Sequence, residues 1–144
     1  MGDIIFKELG FPIVLVDPPM REIRGVMVPD VNMRMLQDSV FRLLVVKPSR
    51  HTGSEVRFIR KYLRIRQVDL ARTLNQANHS VVSHWEKRGD GEAGMEYNTE
   101  VLLRVWMAAK AGLDGELLDL LDRTLKDLAP ASSEPMAVPI PHAA

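Results

Sequence analysis

TGSEVRFIRKYLRIRQVDLARTLNQANHSVVSHWEKR, residues 52–88, repeats apolar side chains at the three- and four-residue intervals that are typical of helices. Thr52 is followed three positions later by Glu55, the spacing of a capping box, in which each side chain accepts a hydrogen bond from the backbone amide of the other. That pair predicts the start of the first helix. The pattern predicts three helices in all, over 54–64, 67–74 and 79–87.

The third of these helices has two unlike faces. Val82 and Trp85 are three residues apart, so both should face inward and anchor the helix to the core. Asn78 precedes the helix and is a favourable capping residue. The tight turn before it, residues 75–77, lacks a glycine, and Asn75 can adopt the left-handed conformation in its place. The side chains left facing outward are His79, Ser80, Ser83 and His84.

The same stretch resembles the helix-turn-helix of the Cro/repressor-type (XRE-like) family. In that family's pattern an Arg on the first helix precedes a Gln that opens the second. A Leu-Ala pair, a turn, and a third helix ending in an apolar residue and Glu follow. The matching residues here are Arg60, Gln67, Leu70, Ala71, Trp85 and Glu86. Two features differ: the interval from Leu74 to Glu86 is one residue longer than usual, and Arg66 replaces the small hydroxyl residue that normally caps the second helix.

The resemblance implies a sequence-specific DNA-binding regulator, a repressor that binds operator DNA as a homodimer. Its third helix would enter the major groove and contact base edges through the four outward-facing side chains. The resemblance also implies an internal ion pair between Arg60 and Glu86. Contacts to the phosphate backbone are implied for Arg66, Gln67, Arg72, Asn78, Lys87 and Arg88.

The charge distribution agrees with such a partner, although the whole chain has a net charge of zero. Residues 54–88 hold eight Lys and Arg against three Asp and Glu, a net charge of +5. Residues 89–128 hold four basic and nine acidic residues, a net charge of −5. A focused basic face can attract a phosphate backbone even on a neutral protein.

The N-terminal third of the chain predicts a separate small module, residues 1–50. Residues 1–12 give only a weak helical or irregular signal. A short strand or hairpin is expected over roughly 13–28, because an apolar IVLV run precedes prolines and a second short segment has Gly25 at its middle. A helix is expected over 31–46, since its apolar spacing is helical and Pro48 follows.

Two further helices are expected after the glycine-rich segment 89–98. The first ends at Gly112, and the second, the leucine-rich 114–128, either forms a dimer surface or closes the core. The Pro-, Ala- and Ser-rich tail 129–144 should be disordered. The predicted fold is therefore mainly α: a five-helix Cro/repressor-like domain, 51–128, after a β-hairpin-plus-helix module. The helix that ends at Gly112 has an apolar stripe, which consists of Val101, Leu102, Val105, Trp106 and Ala109.

A weaker resemblance supports an alternative function. A small β-rich module before a helix-turn-helix resembles the MqsA-type antitoxins, which would neutralise a toxin partner and autoregulate their operon. Their N-terminal module holds zinc through cysteines, and this chain has no cysteine, so neither a metal nor another cofactor is expected. A third alternative is a protein-interaction subunit that uses the fold without DNA.

Other classes of protein are less consistent with the sequence. No run of 18 apolar residues predicts a membrane span, and the first residues do not resemble a signal peptide, so we expect a cytoplasmic, nucleoid-associated protein. No Ser-His-Asp order, phosphate-binding glycine loop or pair of catalytic carboxylates is evident. We therefore do not expect an enzyme.

Overall fold

The computed structural model describes residues 2–112, 114–132 and 134–142. Within these ranges the chain forms six helices and five strands, and the strands make two sheets. It is therefore an α/β fold, and the prediction of a mainly α, five-helix protein was wrong. The error arises at the two ends of the chain, where strands form in segments that were expected to be irregular or disordered.

The chain divides into two compact units. The first, here called the sheet unit, comprises Met1–Val40 and Glu134–Ala144, and the second, the helical unit, comprises Phe41–Ser133. The boundary falls within the first helix, α1 (Met33–Val45), and not at residue 50 as predicted. Asn32 caps α1, since its side-chain oxygen accepts a hydrogen bond from the Met35 amide at 3.1 Å.

The sheet unit contains a three-stranded sheet formed by β1 (Ile4–Phe6), β2 (Ile13–Val16) and β5 (Met136–Pro139). The central strand is β2, which pairs antiparallel with β1 and parallel with β5. Alternate residues of β2, Ile13 and Leu15, are completely buried, as the period of two in a strand requires. The unit also contains an antiparallel hairpin of β3 (Met20–Ile23) and β4 (Val26–Pro29).

The C-terminal segment differs from the disordered tail that was predicted over 129–144. Val138 in β5 pairs with Leu15 in β2 and is completely buried. Ala129 lies beside the segment before α2, since its carbonyl oxygen accepts a hydrogen bond from the Arg50 amide at 2.8 Å. Of the predicted tail, residues 133, 143 and 144 lie outside the described residues.

The helical unit contains five complete helices and the end of α1. Their starts and ends follow the local signals of the sequence. Thr52 and Glu55 form the predicted capping box, with hydrogen bonds of 3.2 Å and 2.9 Å. Asp114 caps the last helix by accepting a hydrogen bond from the Leu117 amide at 2.7 Å. The five helices are α2 (Gly53–Tyr62), α3 (Gln67–Thr73), α4 (Ser80–Glu86), α5 (Tyr97–Lys110) and α6 (Gly115–Leu125).

A buried ion pair on α5 holds the segment between α1 and α2. The Arg104 guanidinium is completely buried and donates to the Glu100 carboxylate at 2.9 and 3.1 Å. It also donates to the carbonyl oxygens of Val45, Lys47 and Ser49 at 2.6–3.1 Å. Burial opposes ionisation of Glu100, but the electrostatic interaction with His51 and the hydrogen bonds and charges of Arg50 and Arg104 together outweigh it and keep the pKa of this carboxyl below its usual range.

This ion pair fixes which face of α5 points inward, and that face is not the predicted one. The apolar stripe that contains Leu102 and Val105 was expected in the core, yet these two side chains are 42% and 45% exposed. The buried residues of α5 are instead Glu100, Leu103, Arg104, Met107 and Ala108. In a sequence pattern, a helix face with two charged residues is assigned to the solvent side. Here the two charged residues form an ion pair with each other inside the protein.

Candidate nucleic-acid interface

The connection between α3 and α4 ends α3 sharply. Asn75 has a φ of 57°, the left-handed conformation that was predicted for it in the absence of a glycine. The Gln76 amide donates to the Ala71 carbonyl at 2.8 Å and the Asn75 amide to the Arg72 carbonyl at 3.1 Å. These two bonds make a Schellman motif, which satisfies the last carbonyl groups of α3 and lets the chain turn directly toward α4.

Helix α4 is anchored by the two residues that the sequence pattern selects. Val82 is completely buried and Trp85 is 5% exposed. The capping position of α4 is His79 and not the predicted Asn78, but the Asn78 side-chain oxygen accepts a hydrogen bond from the Ser80 amide, the first of the helix, at 3.0 Å. The other end of α4 packs closely against Gly53, the first residue of α2, where a Cβ atom would lie 2.3 Å from the Trp85 carbonyl oxygen.

The outward face of α4 carries the four residues expected to contact bases. His79 and His84 are exposed, while Ser80 and Ser83 are half-buried. Ser80, Ser83 and His84 lie on the side of α4 away from Val82 and Trp85, and His79 is the residue directly before the helix. The face offers hydroxyl and imidazole groups, which can both donate and accept hydrogen bonds.

An ion pair ties α4 to α2 and reaches α3. Arg60 donates two hydrogen bonds to the Glu86 carboxylate, at 2.7 Å and 3.0 Å, so the pair is bidentate. The two side chains are only 15% and 6% exposed. Gln67, at the start of α3, donates its side-chain amide to the same carboxylate at 3.3 Å. One carboxylate therefore fixes the relative positions of three helices.

A polar cleft of about 230 Å³ opens beside this ion pair. Because Arg60 is neutralised by Glu86, the charges that remain are those of Arg57 and Lys87. Both are exposed, and among the described residues neither forms an ion pair. The cleft therefore combines two unpaired cations with a serine from the outward face of α4. Its lining residues are Arg57, Arg60, Gln67, Ser83, Glu86 and Lys87.

The residues expected to contact the phosphate backbone fall into two groups. Arg72, Lys87 and Arg88 are exposed and face solvent. Arg66, by contrast, pairs with Asp69 at 3.1 Å, and this hydrogen bond raises the pKa of Arg66 and lowers that of Asp69. The Asn78 side chain accepts a hydrogen bond from the Ser80 amide, and the Gln67 side chain donates one to Glu86.

Sequence analysis missed Arg57, although a signal for it was present. Arg57 lies three residues before Arg60 on α2, and residues three apart share one face of a helix. Since Arg60 was expected to pair with Glu86 of α4, the face of α2 that carries Arg60 should border α4. The next exposed base on that face belongs to the same site.

The described residues contain neither a metal-binding cluster nor a membrane-spanning helix. No group of three or more His, Cys, Asp or Glu side chains there could hold a metal ion. None of the described helices is both long enough and apolar enough to cross a membrane. In comparisons with known proteins, the chain matches no protein-family model, no curated protein and no solved structure.

Proposed function

We propose that this chain is a sequence-specific DNA-binding regulator that represses transcription by occupying operator DNA. The observation that carries the proposal is the arrangement of α4. Its outward side carries the exposed His84 and the half-buried Ser83, and Ser83 lines a cleft that contains two unpaired cations, Arg57 and Lys87. An element that combines base-reading side chains with flanking phosphate contacts has what a major-groove reader needs.

In the proposed complex, α4 lies in the major groove with its N-terminal half toward the base edges. Ser80 and Ser83 can donate to or accept from a base, and His79 and His84 can donate to guanine N7 or O6. The bidentate pair of Arg60 and Glu86 holds α4 at a fixed angle, so its groups need little reorganisation on binding.

A backbone phosphate fits the cleft beside α4. Arg57 and Lys87 approach it from two helices, and the Gln67 amide is already oriented by Glu86. Arg72 and Arg88 are exposed cations that can reach neighbouring phosphates, whereas Arg66 would first have to leave Asp69. Such contacts release counterions, so affinity should fall steeply with salt. This role would place the protein in the cytoplasm, at the nucleoid.

The test is fluorescence-anisotropy binding to the DNA upstream of the protein's own gene, with scrambled DNA as competitor, over a salt series. We expect tight binding to the upstream fragment alone. The double variant Ser83→Ala and His84→Ala should lose roughly 10- to 100-fold in affinity for that fragment and keep its weak affinity for scrambled DNA. Equal weak binding of the wild-type protein to both DNAs would contradict the proposal.

The cleft is tested separately by the salt dependence. Arg57→Gln and Lys87→Gln should each reduce the slope of log affinity against log salt by about 1, on specific and scrambled DNA alike. Lys126→Gln is the matched control, because Lys126 is an exposed lysine directly after α6, outside the cleft. If the salt slope is unchanged in both cleft variants, the proposed phosphate site is contradicted. Co-purification of a stoichiometric small protein would instead favour the antitoxin alternative.

A further inference from the structure

A second cavity, of about 460 Å³, opens beside the start of α1, and all of its lining residues belong to the sheet unit. Three segments form its walls. The base of the β3–β4 hairpin contributes Pro19 and Asp30, the first two turns of α1 contribute Met35 and Ser39, and the segment after β5 contributes Ile140. We call the space between these residues the α1 cavity.

Hydrogen bonds hold each wall of the α1 cavity in place. The Asp30 amide donates to the Pro19 carbonyl at 2.7 Å and closes the base of the hairpin. Asn32, which also lines the cavity, caps α1. After β5, the His142 ring donates from Nε2 to the Asp17 carbonyl at 2.7 Å. A ligand would therefore enter a space whose walls are already ordered, so little free energy is lost in ordering them.

The α1 cavity combines apolar walls with one negative charge. Leu36 is buried at its base, and Met35, which is 60% exposed, forms part of the α1 wall. Among the described residues that line the cavity, Asp30 is the only Asp or Glu, and none is a Lys or Arg. The cation nearest to Asp30 is Arg21 at 3.9 Å, and both side chains are at least 60% exposed. Because so long and exposed an ion pair is weak, the Asp30 carboxylate remains available to a ligand.

The N-terminus of α1 lies at the same place and opposes this charge. The positive end of a helix dipole favours an anion, but it amounts to only about half an elementary charge. Asp30 contributes a full negative charge. In addition, the Met35 amide of the first turn already donates to Asn32 and is not free to bind an anion. The balance of charge at the α1 cavity therefore favours a cation.

We infer that the α1 cavity binds a small organic cation, with an apolar body against Met35 and Leu36 and an ammonium group at Asp30. Small-molecule sites are concave, mostly apolar and about 300–1,000 Å³ in volume, with a few polar groups that set the orientation of the ligand. The Ser39 hydroxyl, which forms no hydrogen bond with the described residues, supplies such a group. The inference does not rest on the proposed function, because no described lining residue belongs to α2, α3 or α4.

Titration of the ¹⁵N-labelled full chain with 4-phenylbutylammonium, followed through its amide NMR shifts, tests the inference. We expect saturable shifts at Met35, Leu36 and Ser39, with a Kd in the millimolar range or tighter for a ligand of this size. The matched probe is 4-phenylbutyrate, which has the same apolar body and carries a negative charge in place of the positive one. It should bind at least about 5-fold more weakly.

Three variants locate the site. Ser39→Trp fills the α1 cavity from an exposed position of α1 and should abolish the saturable shifts. Asp30→Asn should weaken binding of the ammonium probe roughly 3- to 5-fold, the range of an exposed ion pair, and remove its advantage over 4-phenylbutyrate. Glu22→Gln is the matched control, because Glu22 is an exposed acid on β3 that does not line the cavity. All three should keep the wild-type circular dichroism spectrum.

The location and the charge of the ligand can each be contradicted. A wild-type chain without saturable shifts would overturn the inference, as would shifts that survive Ser39→Trp. Equal or tighter binding of 4-phenylbutyrate would overturn the choice of a cation. Full affinity in Asp30→Asn, or a loss in Glu22→Gln equal to that in Asp30→Asn, would overturn the role of Asp30. The anisotropy measurements on DNA test the proposed function separately, so either proposal can fail alone.

Discussion

Replacing Gly53 by Ala tests how α4 is held against α2. The built Cβ atom lies 2.3 Å from the Trp85 carbonyl oxygen and 2.9 Å from the Gly89 nitrogen, both of them backbone atoms. Restoring even a 3.0 Å contact requires the two segments to separate by about 0.7 Å. That movement would strain the bonds from Gly53 to Gly91 and from Ser54 to Gly89, which are 3.1 Å and 2.8 Å long.

Overpacking of this kind costs about 1–3 kcal/mol, and each weakened hydrogen bond adds up to about 1 kcal/mol. We therefore expect Gly53→Ala to lower the free energy of unfolding by about 2–4 kcal/mol. With a urea slope of about 1–3 kcal/mol per molar, the midpoint should fall by roughly 1–2 M. Tryptophan fluorescence is a suitable readout, because Trp85 and Trp106 both lie in the helical unit.

Gly115→Ala provides the matched control for this substitution. Gly115 is also the first residue of its helix, α6, but no atom lies within 4 Å of its built Cβ. Alanine there should raise the free energy of unfolding by about 0.4–1 kcal/mol, because it restricts the unfolded chain. If Gly53→Ala unfolds at the same urea concentration as Gly115→Ala, the close approach of α2 to the end of α4 is refuted.

Three further predictions concern the helical unit. Burial lowers the pKa of His51, so the unfolded chain takes up a proton at a higher pH than the folded chain, and stability should fall as the pH drops below about 6.5. In a plot of the urea midpoint against pH, His51→Gln should flatten this fall, whereas replacement of the exposed His84 by Gln should not. Because the backbone of Asn75 is left-handed, Asn75→Gly should keep wild-type thermal stability and Asn75→Ala should lose about 1 kcal/mol. Equal melting temperatures of these two variants would contradict the left-handed conformation of the turn. Glu86→Ala should lose about 1–3 kcal/mol in urea unfolding, because it leaves Arg60 unpaired, while Asp122→Ala, which breaks an exposed pair, should change the midpoint little.

Burial lowers the pKa of His51, and the hydrogen bond of its ring shows which nitrogen carries the proton in the neutral form. Its Nε2 atom lies 2.8 Å from the Leu44 carbonyl oxygen, which can only accept, so Nε2 carries the proton. Nδ1 is buried without a hydrogen-bond partner among the described residues, 4.0 Å from the nearest Glu100 oxygen. The nearby positive charge of Arg104 also disfavours protonation of the ring. Acid should therefore weaken the contacts that His51 makes with Leu44 of α1 and Glu100 of α5.

Local signals in the sequence located the helices of the helical unit. The predicted 79–87 compares with Ser80–Glu86 for α4, and 67–74 compares with Gln67–Thr73 for α3. Each boundary depends on groups within a few residues, such as the capping box of Thr52 and Glu55 or the left-handed Asn75. Interactions of that range can be recognised from a single sequence.

The strands at the two ends of the chain could not be located in this way. Leu15 pairs with Val138, more than one hundred residues away along the chain. The segment around Val138 contains prolines and alanines, a composition typical of disordered chains. Its order comes from a partner strand, because β2 supplies the hydrogen bonds and the buried apolar surface. No pattern within the segment encodes that partner.

The orientation of α5, with its charged face inward, has an energetic consequence. Of the two faces of α5, the more apolar one, with Leu102 and Val105, is exposed, and the core instead receives Glu100 and Arg104. A buried ion pair is seldom more stabilising than well-packed apolar residues of similar volume, because both charges lose their hydration. In the isolated chain this arrangement therefore leaves Leu102 and Val105 in water without an equivalent gain in the core. Arg104, by holding the segment between α1 and α2, thus sets the orientation in which the helix presents its apolar side outward.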